Sequence, residues 1–188
     1  MANVFPLMIL LLSLLIIGVG YGLWSDTLKA NVFIQVAPSD LDIGSWKVFA
    51  RFKCGYCIGY DQVYLSPGND TLHVLIGNSR VQYLWVGLVI ENNRALNSYL
   101  DNIEVWIVDS SGEYNITPIT YLYEPVKTGV GNMPYWGRLT CNDLPVQGYL
   151  PGYPVLVKPG YKMVAWLFIS LDSLELSNVE VRVKLVSH

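Results

Sequence analysis

Beyond residue 24 the chain alternates. Apolar residues fall on every second position in runs of about 6 to 11, the two-residue period of a β-strand with one face on a core. In the first run Leu28, Ala30, Val32, Ile34 and Val36 share one face, and Lys29, Asn31 and Gln35 lie opposite. Trp46, Val48, Ala50 and Phe52 repeat the pattern against Lys47, Arg51 and Lys53. The last run sets Val179, Val181, Val183 and Leu185 against Glu180, Arg182 and Lys184. Two runs, Val81 to Glu91 and Tyr161 to Leu171, are apolar at almost every position, which predicts central strands covered on both faces. Ile103 to Asp109 is a further strand candidate.

Turn chemistry divides these runs. Pro67-Gly68-Asn69-Asp70, Glu91-Asn92-Asn93-Arg94, Ser110-Ser111-Gly112 and Pro159-Gly160 each combine residues that favour reversal. Strands at this spacing predict an all-β fold, a β-sandwich of the jelly-roll or Ig-like kind. A stretch from about 124 to 154 breaks the rhythm with Pro125, Pro134, Pro145, Pro151 and Pro154, and is expected to be a loop-rich excursion. Its Tyr135, Trp136, Tyr149 and Tyr153 suit either covering one end of the sandwich or contacting another subunit.

The N-terminus differs in kind. Residues 4 to 24 carry no charge. At about 1.5 Å per residue they can cross a hydrocarbon core of about 30 Å, as a single-pass anchor. A secretory signal peptide is the other reading, favoured by Gly18, Gly20 and Gly22 just before the apolar run ends. Either reading puts the remainder of the chain outside the cytoplasm.

Composition narrows the function. Charged residues are 14% of the chain, against about 25% in ordinary domains. The net charge is −3, with no basic run, so no nucleic-acid partner is expected. The 13 Tyr and 6 Trp suit strands and packed surfaces between subunits. Cys54, Cys57 and Cys141 are the disulfide candidates, with Cys141 bonded to either of the others and one thiol left over. Cys54-Gly55-Tyr56-Cys57 has redox spacing but lacks a βαβ setting, and a zinc site would have to recruit His73 or His188 as fourth ligand.

No catalytic constellation is visible. His188 is terminal, and His73 lies in an alternating run, as a partly exposed strand histidine does. Zincin, nucleophile-elbow, P-loop and dinucleotide motifs are absent from the sequence. Asp40 and Asp42 form a spaced carboxylate pair that fits a loop or strand edge better than a calcium site. No enzyme activity, metal or cofactor is expected. Asn69-Asp70-Thr71 and Asn115-Ile116-Thr117 make Asn69 and Asn115 candidate N-glycosylation sites beside turns.

One set of motifs goes further. A small-residue stretch leads into Trp24-Ser25-Asp26, then Asn31-Val32-Phe33 and Leu41-Asp42-Ile43. Leu65-Ser66-Pro67-Gly68 precedes an apolar strand that ends in Glu91-Asn92-Asn93, and Pro159-Gly160 precedes the strand Lys162 to Ser170. Together these resemble the TasA/camelysin family of biofilm-matrix fibre proteins, and within it the archaeal bundling pilins. The resemblance implies a secreted jelly roll that polymerises by donor-strand complementation, the N-terminal strand of one subunit filling a gap in the next. It implies a signal peptide over 1–22 cut near Gly22-Leu23, a donor strand over 23–36 and a pilin domain over 37–188. The partners implied are identical subunits and neighbouring filaments, with membrane contact only before cleavage. Localisation is expected to be extracellular, in a cell-surface filament serving adhesion and biofilm formation. The alternative is a membrane-anchored β-sandwich binding module that keeps residues 4 to 24.

The physics of such a joint is simple. Leu28, Ala30, Val32, Ile34 and Val36 would bury their side chains in a partner for on the order of 5–10 kcal/mol before entropy is subtracted, at about 25 cal/mol per Å². Each ladder hydrogen bond adds roughly 0.5–1.5 kcal/mol. Head-to-tail contacts of this kind leave the assembly open, so a fibre is expected.

Overall fold

A computed structural model of the chain describes residues 40–77, 80–129, 133, 136, 150, 152–171 and 178–188. All of them belong to the compact unit Pro38–His188. Every regular element described is a strand. In order they are β1 (Asp42–Phe52), β2 (Cys57–Gly59), β3 (Val63–Leu65), β4 (Thr71–Ile76), β5 (Val81–Glu91), β6 (Ser98–Asp109), β7 (Gly112–Ile116), β8 (Ile119–Leu122), β9 (Val126–Lys127), β10 (Val155–Val157), β11 (Tyr161–Ser170) and β12 (Val179–Ser187).

The strands make two antiparallel six-stranded sheets. Sheet A runs β2-β1-β5-β11-β8, with β9 also on β11. Sheet B runs β10-β6-β12-β4-β3, with β7 also on β6. Alternate residues of both sheets meet in one core. Leu84, Val86, Leu88 and Ile90 of β5 and Met163, Ala165, Leu167 and Ile169 of β11 come from sheet A. Leu72, Val74 and Ile76 of β4, Ile103, Val105 and Ile107 of β6, and Val181, Val183 and Leu185 of β12 come from sheet B. The two-residue period is what lets each strand give one face to this core and the other to the outside.

The near-continuous apolar runs are central, as expected. β5 lies between β1 and β11, and β11 between β5 and β8. Their outward positions are covered as well. Gly87 pairs with Trp166, whose ring lies over the glycine. A β-carbon at Gly87 would stand 2.7 Å from that ring, so the close approach requires glycine.

Three segments gain detail in the fold. The region from 124 to 154 is tied to sheet A at both ends: β9 pairs with Tyr161 and Lys162, and Leu150 N donates to Leu122 O at 2.6 Å. β6 begins at Ser98 rather than Ile103, because the loop after β5 is closed by side-chain hydrogen bonds of Asn92 and needs few residues. Trp46 lies on the same face as Val48 and Ala50 but is 37% exposed, where Val48 is 4% and Ala50 0%. A bulge between Ile43 and Ser45 keeps Ile43 and Trp46 on that one face.

Candidate functional site

The motif segments that stand apart in the sequence meet in space, two by two. The first meeting is at the start of β1. The turn from Ser66 to Asp70 closes through Asn69 N to Ser66 O at 3.0 Å and Ser66 N to Thr71 O at 2.8 Å. Asn69 adopts a left-handed φ of 55°, which asparagine tolerates. The turn then presents Asn69 O to Ile43 N at 2.7 Å. Leu65-Ser66-Pro67-Gly68 and Leu41-Asp42-Ile43 therefore form one lock between β1 and the β3–β4 connection.

The second meeting joins the end of β5 to the turn before β11. Asn92 is wholly buried. Its amide Nδ2 donates to Val157 O at 2.7 Å and Leu96 O at 2.8 Å, and its Oδ1 accepts from Arg94 N at 2.9 Å. Its backbone takes Gly160 N at 2.9 Å and gives its own N–H to Tyr161 O at 3.0 Å. Gly160 has a φ of 69°, the left-handed value that the Pro159-Gly160 turn demands.

The outer faces of the sheets differ in chemistry. Sheet A carries an aromatic layer centred on buried Trp166, Val164 and Tyr123. Phe49 stacks on Trp166 at 6.1 Å, Trp136 leans on it at 6.0 Å, and Trp85 contacts Tyr121 at 5.9 Å and Phe168 at 5.0 Å. Lys47 crosses Trp136, its Nζ 5.0 Å from the ring centre and donating to the Trp136 carbonyl at 2.7 Å. Trp136 thus packs on the face of a sheet rather than on an end of the sandwich. Tyr153 packs against the core, and Tyr135 and Tyr149 lie outside the described residues.

Sheet B is polar outside. Glu180 accepts from Arg182 at 3.0 Å and Tyr64 at 3.2 Å, and its Oε1 is 2.6 Å from His73 Nδ1. Tyr64 stacks on the His73 ring at 4.5 Å. Burial alone would raise the Glu180 carboxyl, but hydrogen bonds from Arg182, His73 and Tyr64 hold it below the usual glutamate value. His73 is therefore a structural strand histidine. At the C-terminus His188 Nδ1 is 2.6 Å from Asp101 Oδ2, and its ring stacks on Tyr99.

The remaining candidates can be placed. Asp42 opens β1 and accepts from Asn93 Nδ2 at 3.4 Å, while Asp40 pairs with Arg94 at 3.7 Å. Both carboxylates thus serve contacts at the end of the sandwich. Among the described residues no group of three or more His, Cys, Asp or Glu could hold a metal ion. Cys57 is disulfide-bonded and Cys54 is a free, exposed thiol. Cys141 lies outside the described residues. Asn69 and Asn115 are both exposed, Asn69 in its turn and Asn115 on β7. Gly22, Leu23 and the strand residues Leu28, Ala30, Val32, Ile34 and Val36 lie outside the described residues, as does the apolar segment 4–24. Among those described, no helix is long and apolar enough to cross a membrane.

Sequence reading missed Asn92 as the centre of a buried polar network. The signal was an amide residue directly after a nearly all-apolar strand, where an unpaired side chain could not be buried. The chain matches no known family model, no characterised protein and no solved structure.

Proposed function

We propose that the chain is a secreted structural subunit of an extracellular filament, a bundling pilus or biofilm-matrix fibre. In this reading the sandwich is a jelly roll, residues 1–22 are removed on export, and subunits join head to tail by donating residues 23–36. The reading is carried by one observation: the segments that resemble the fibre proteins are the ones that lock the sandwich, Ser66–Asn69 against Ile43 and Asn92 against Gly160. Motifs scattered by chance have no reason to meet in two hydrogen-bonded pairs.

Lateral bundling and adhesion belong to the same proposal. The aromatic layer of sheet A and the low charge of the chain would let neighbouring filaments approach without strong repulsion.

The test is direct. Material sheared from cells should contain filaments by electron microscopy, and its N-terminal sequence should begin near Leu23. Intact Met1 in the membrane fraction, with no filaments, would refute the proposal in favour of an anchored binding module.

A further inference from the structure

The outer face of sheet B is ordered in rows across its strands. Tyr64, His73, Arg182, Trp106 and Asn115 are register partners in turn, on β3, β4, β12, β6 and β7. Two residues along lies the row Thr71, Lys184 and Glu104, on the same face. The residues between the rows, Leu72, Val183 and Val105, belong to the core. A cleft of about 390 Å³ opens over the two rows. It is walled by Trp106 and Glu104 on β6, Arg182 and Lys184 on β12, and Thr71 and His73 on β4, and Glu113 of β7 also lines it.

The wall chemistry is selective. Trp106 is half-buried, and its Nε1 donates to Glu104 Oε2 at 3.2 Å. That bond uses the one donor of the indole, so what the ring has left to offer is a carbon surface. Arg182 is held between Glu113 Oε1 at 3.2 Å and Glu180 Oε2 at 3.0 Å, which fixes its planar fork. With 34% and 47% of their side chains exposed, Arg182 and Glu113 stay within reach of a ligand. Two cations, Arg182 and Lys184, stand against two carboxylates, Glu104 and Glu113. Such a mosaic exerts little net pull on an ion, and a phosphate backbone would meet both carboxylates.

Donors and acceptors side by side suit a ligand whose every polar group is both. A sugar hydroxyl can donate to Glu104 or Glu113 and accept from Lys184 or Arg182, while the C–H face of a pyranose packs on the Trp106 ring. We infer that this cleft on the outer face of sheet B binds a neutral polysaccharide, with one pyranose ring seated on Trp106. The site is formed by β4, β6, β7 and β12 of one chain, so the inference goes beyond the filament reading and does not depend on how subunits join. A glycan on the chain's own Asn115 is the competing source of the same sugar chemistry. Asn115 lies on the β7 side of Trp106, whereas the cleft opens on its β12 side, which favours a polymer from outside.

Retention of the full-length, exported chain on beads carrying mannan, laminarin or dextran tests the inference, with alginate as the anionic counterpart. At least one neutral polymer should retain the chain, equally at low and high salt, because no net charge is matched. Trp106→Ala should weaken binding by roughly tenfold or more, and Trp106→Phe, which restores an aromatic face, should recover part of the loss. Lys184→Ala, at a half-exposed strand position, should also weaken it and serves as the test if Trp106→Ala does not fold. Tyr56→Ser removes an exposed aromatic of the other sheet's hairpin and should leave binding unchanged. Retention by none of the neutral polymers, retention on alginate alone that salt abolishes, or undiminished retention of the Trp106 and Lys184 variants would each overturn the site. Retention that appears only after Asn115→Gln would show that the chain's own glycan fills the cleft, and would overturn it equally.

Discussion

Asn92 carries more of the architecture than any charged residue described. Its side-chain amide donates to two carbonyls, one on buried Val157 that would otherwise lack a partner and one on Leu96 in the exposed loop. Leucine at this position removes both donors, and the orphaned carbonyl of buried Val157 costs about 1–3 kcal/mol. Asn92→Leu should therefore lower the denaturation midpoint clearly, and a midpoint unchanged from the parent would show that the network is dispensable. Gly87 makes a steric claim of a different kind. Gly87→Ala drives a methyl into the Trp166 ring, and overpacking of this sort costs about 1–3 kcal/mol. Pairing it with Trp166→Phe should recover part of the loss, so thermal melts of both singles and the double should be non-additive.

Glu180 sets a pH dependence. Its carboxyl is held below the ordinary value of 4.5, so the native state favours the charged form. Stability from this source is present above the unfolded value and is lost as pH falls through the lower folded one. Glu180→Gln should lower stability by about 1 kcal/mol or less at neutral pH, where a partly exposed pair contributes that much, and the difference from the parent in melting temperature should shrink to nothing as pH falls below 4.5.

Among elements, the long strands were legible and the short ones were not. β1, β4, β5, β11 and β12 each repeat apolar positions over six residues or more, and both all-apolar runs proved central. β2, β3, β9 and β10 are two or three residues long, too short to show a period. They exist because longer neighbours offer them a ladder, which is a tertiary cause. The stretch Leu28 to Val36 has the period of the long strands. Its deletion should leave an exported, folded protein that no longer forms fibres, and normal fibres from that variant, seen by negative-stain microscopy, would refute strand donation.

At the level of the whole molecule the two outer faces are chemically unlike. Sheet A offers the aromatic layer around Trp166, and sheet B the network of Glu180, Arg182, His73 and Tyr64. Ile119 on the aromatic side is 55% exposed and Leu75 on the polar side 42%. Glutamate at both adds two negative charges to a net charge of −3 and should change stability by less than about 0.5 kcal/mol, as exposed substitutions do. In filaments the added charge should separate bundles into single fibres at low salt, with bundling restored as salt screens it over about 10 Å at 0.1 M. Bundles of unchanged thickness would show that lateral association does not depend on net charge.

The sequence by itself determined the all-β class, the central position of β5 and β11 and the turns that separate the long strands. Those features follow from local rules: a two-residue period buries one face, and Gly, Pro and Asn reverse the chain. It also singled out Ser66–Asn69, Asn92-Asn93 and Pro159-Gly160, but gave no sign that they lock together. Only the tertiary structure decided that, along with the aromatic layer outside sheet A, the role of Asn92 and the half-exposed place of Trp46. Each depends on which strands become neighbours across the sheet and across the core, and burial of a given side chain is fixed by those neighbours rather than by its own position in the repeat.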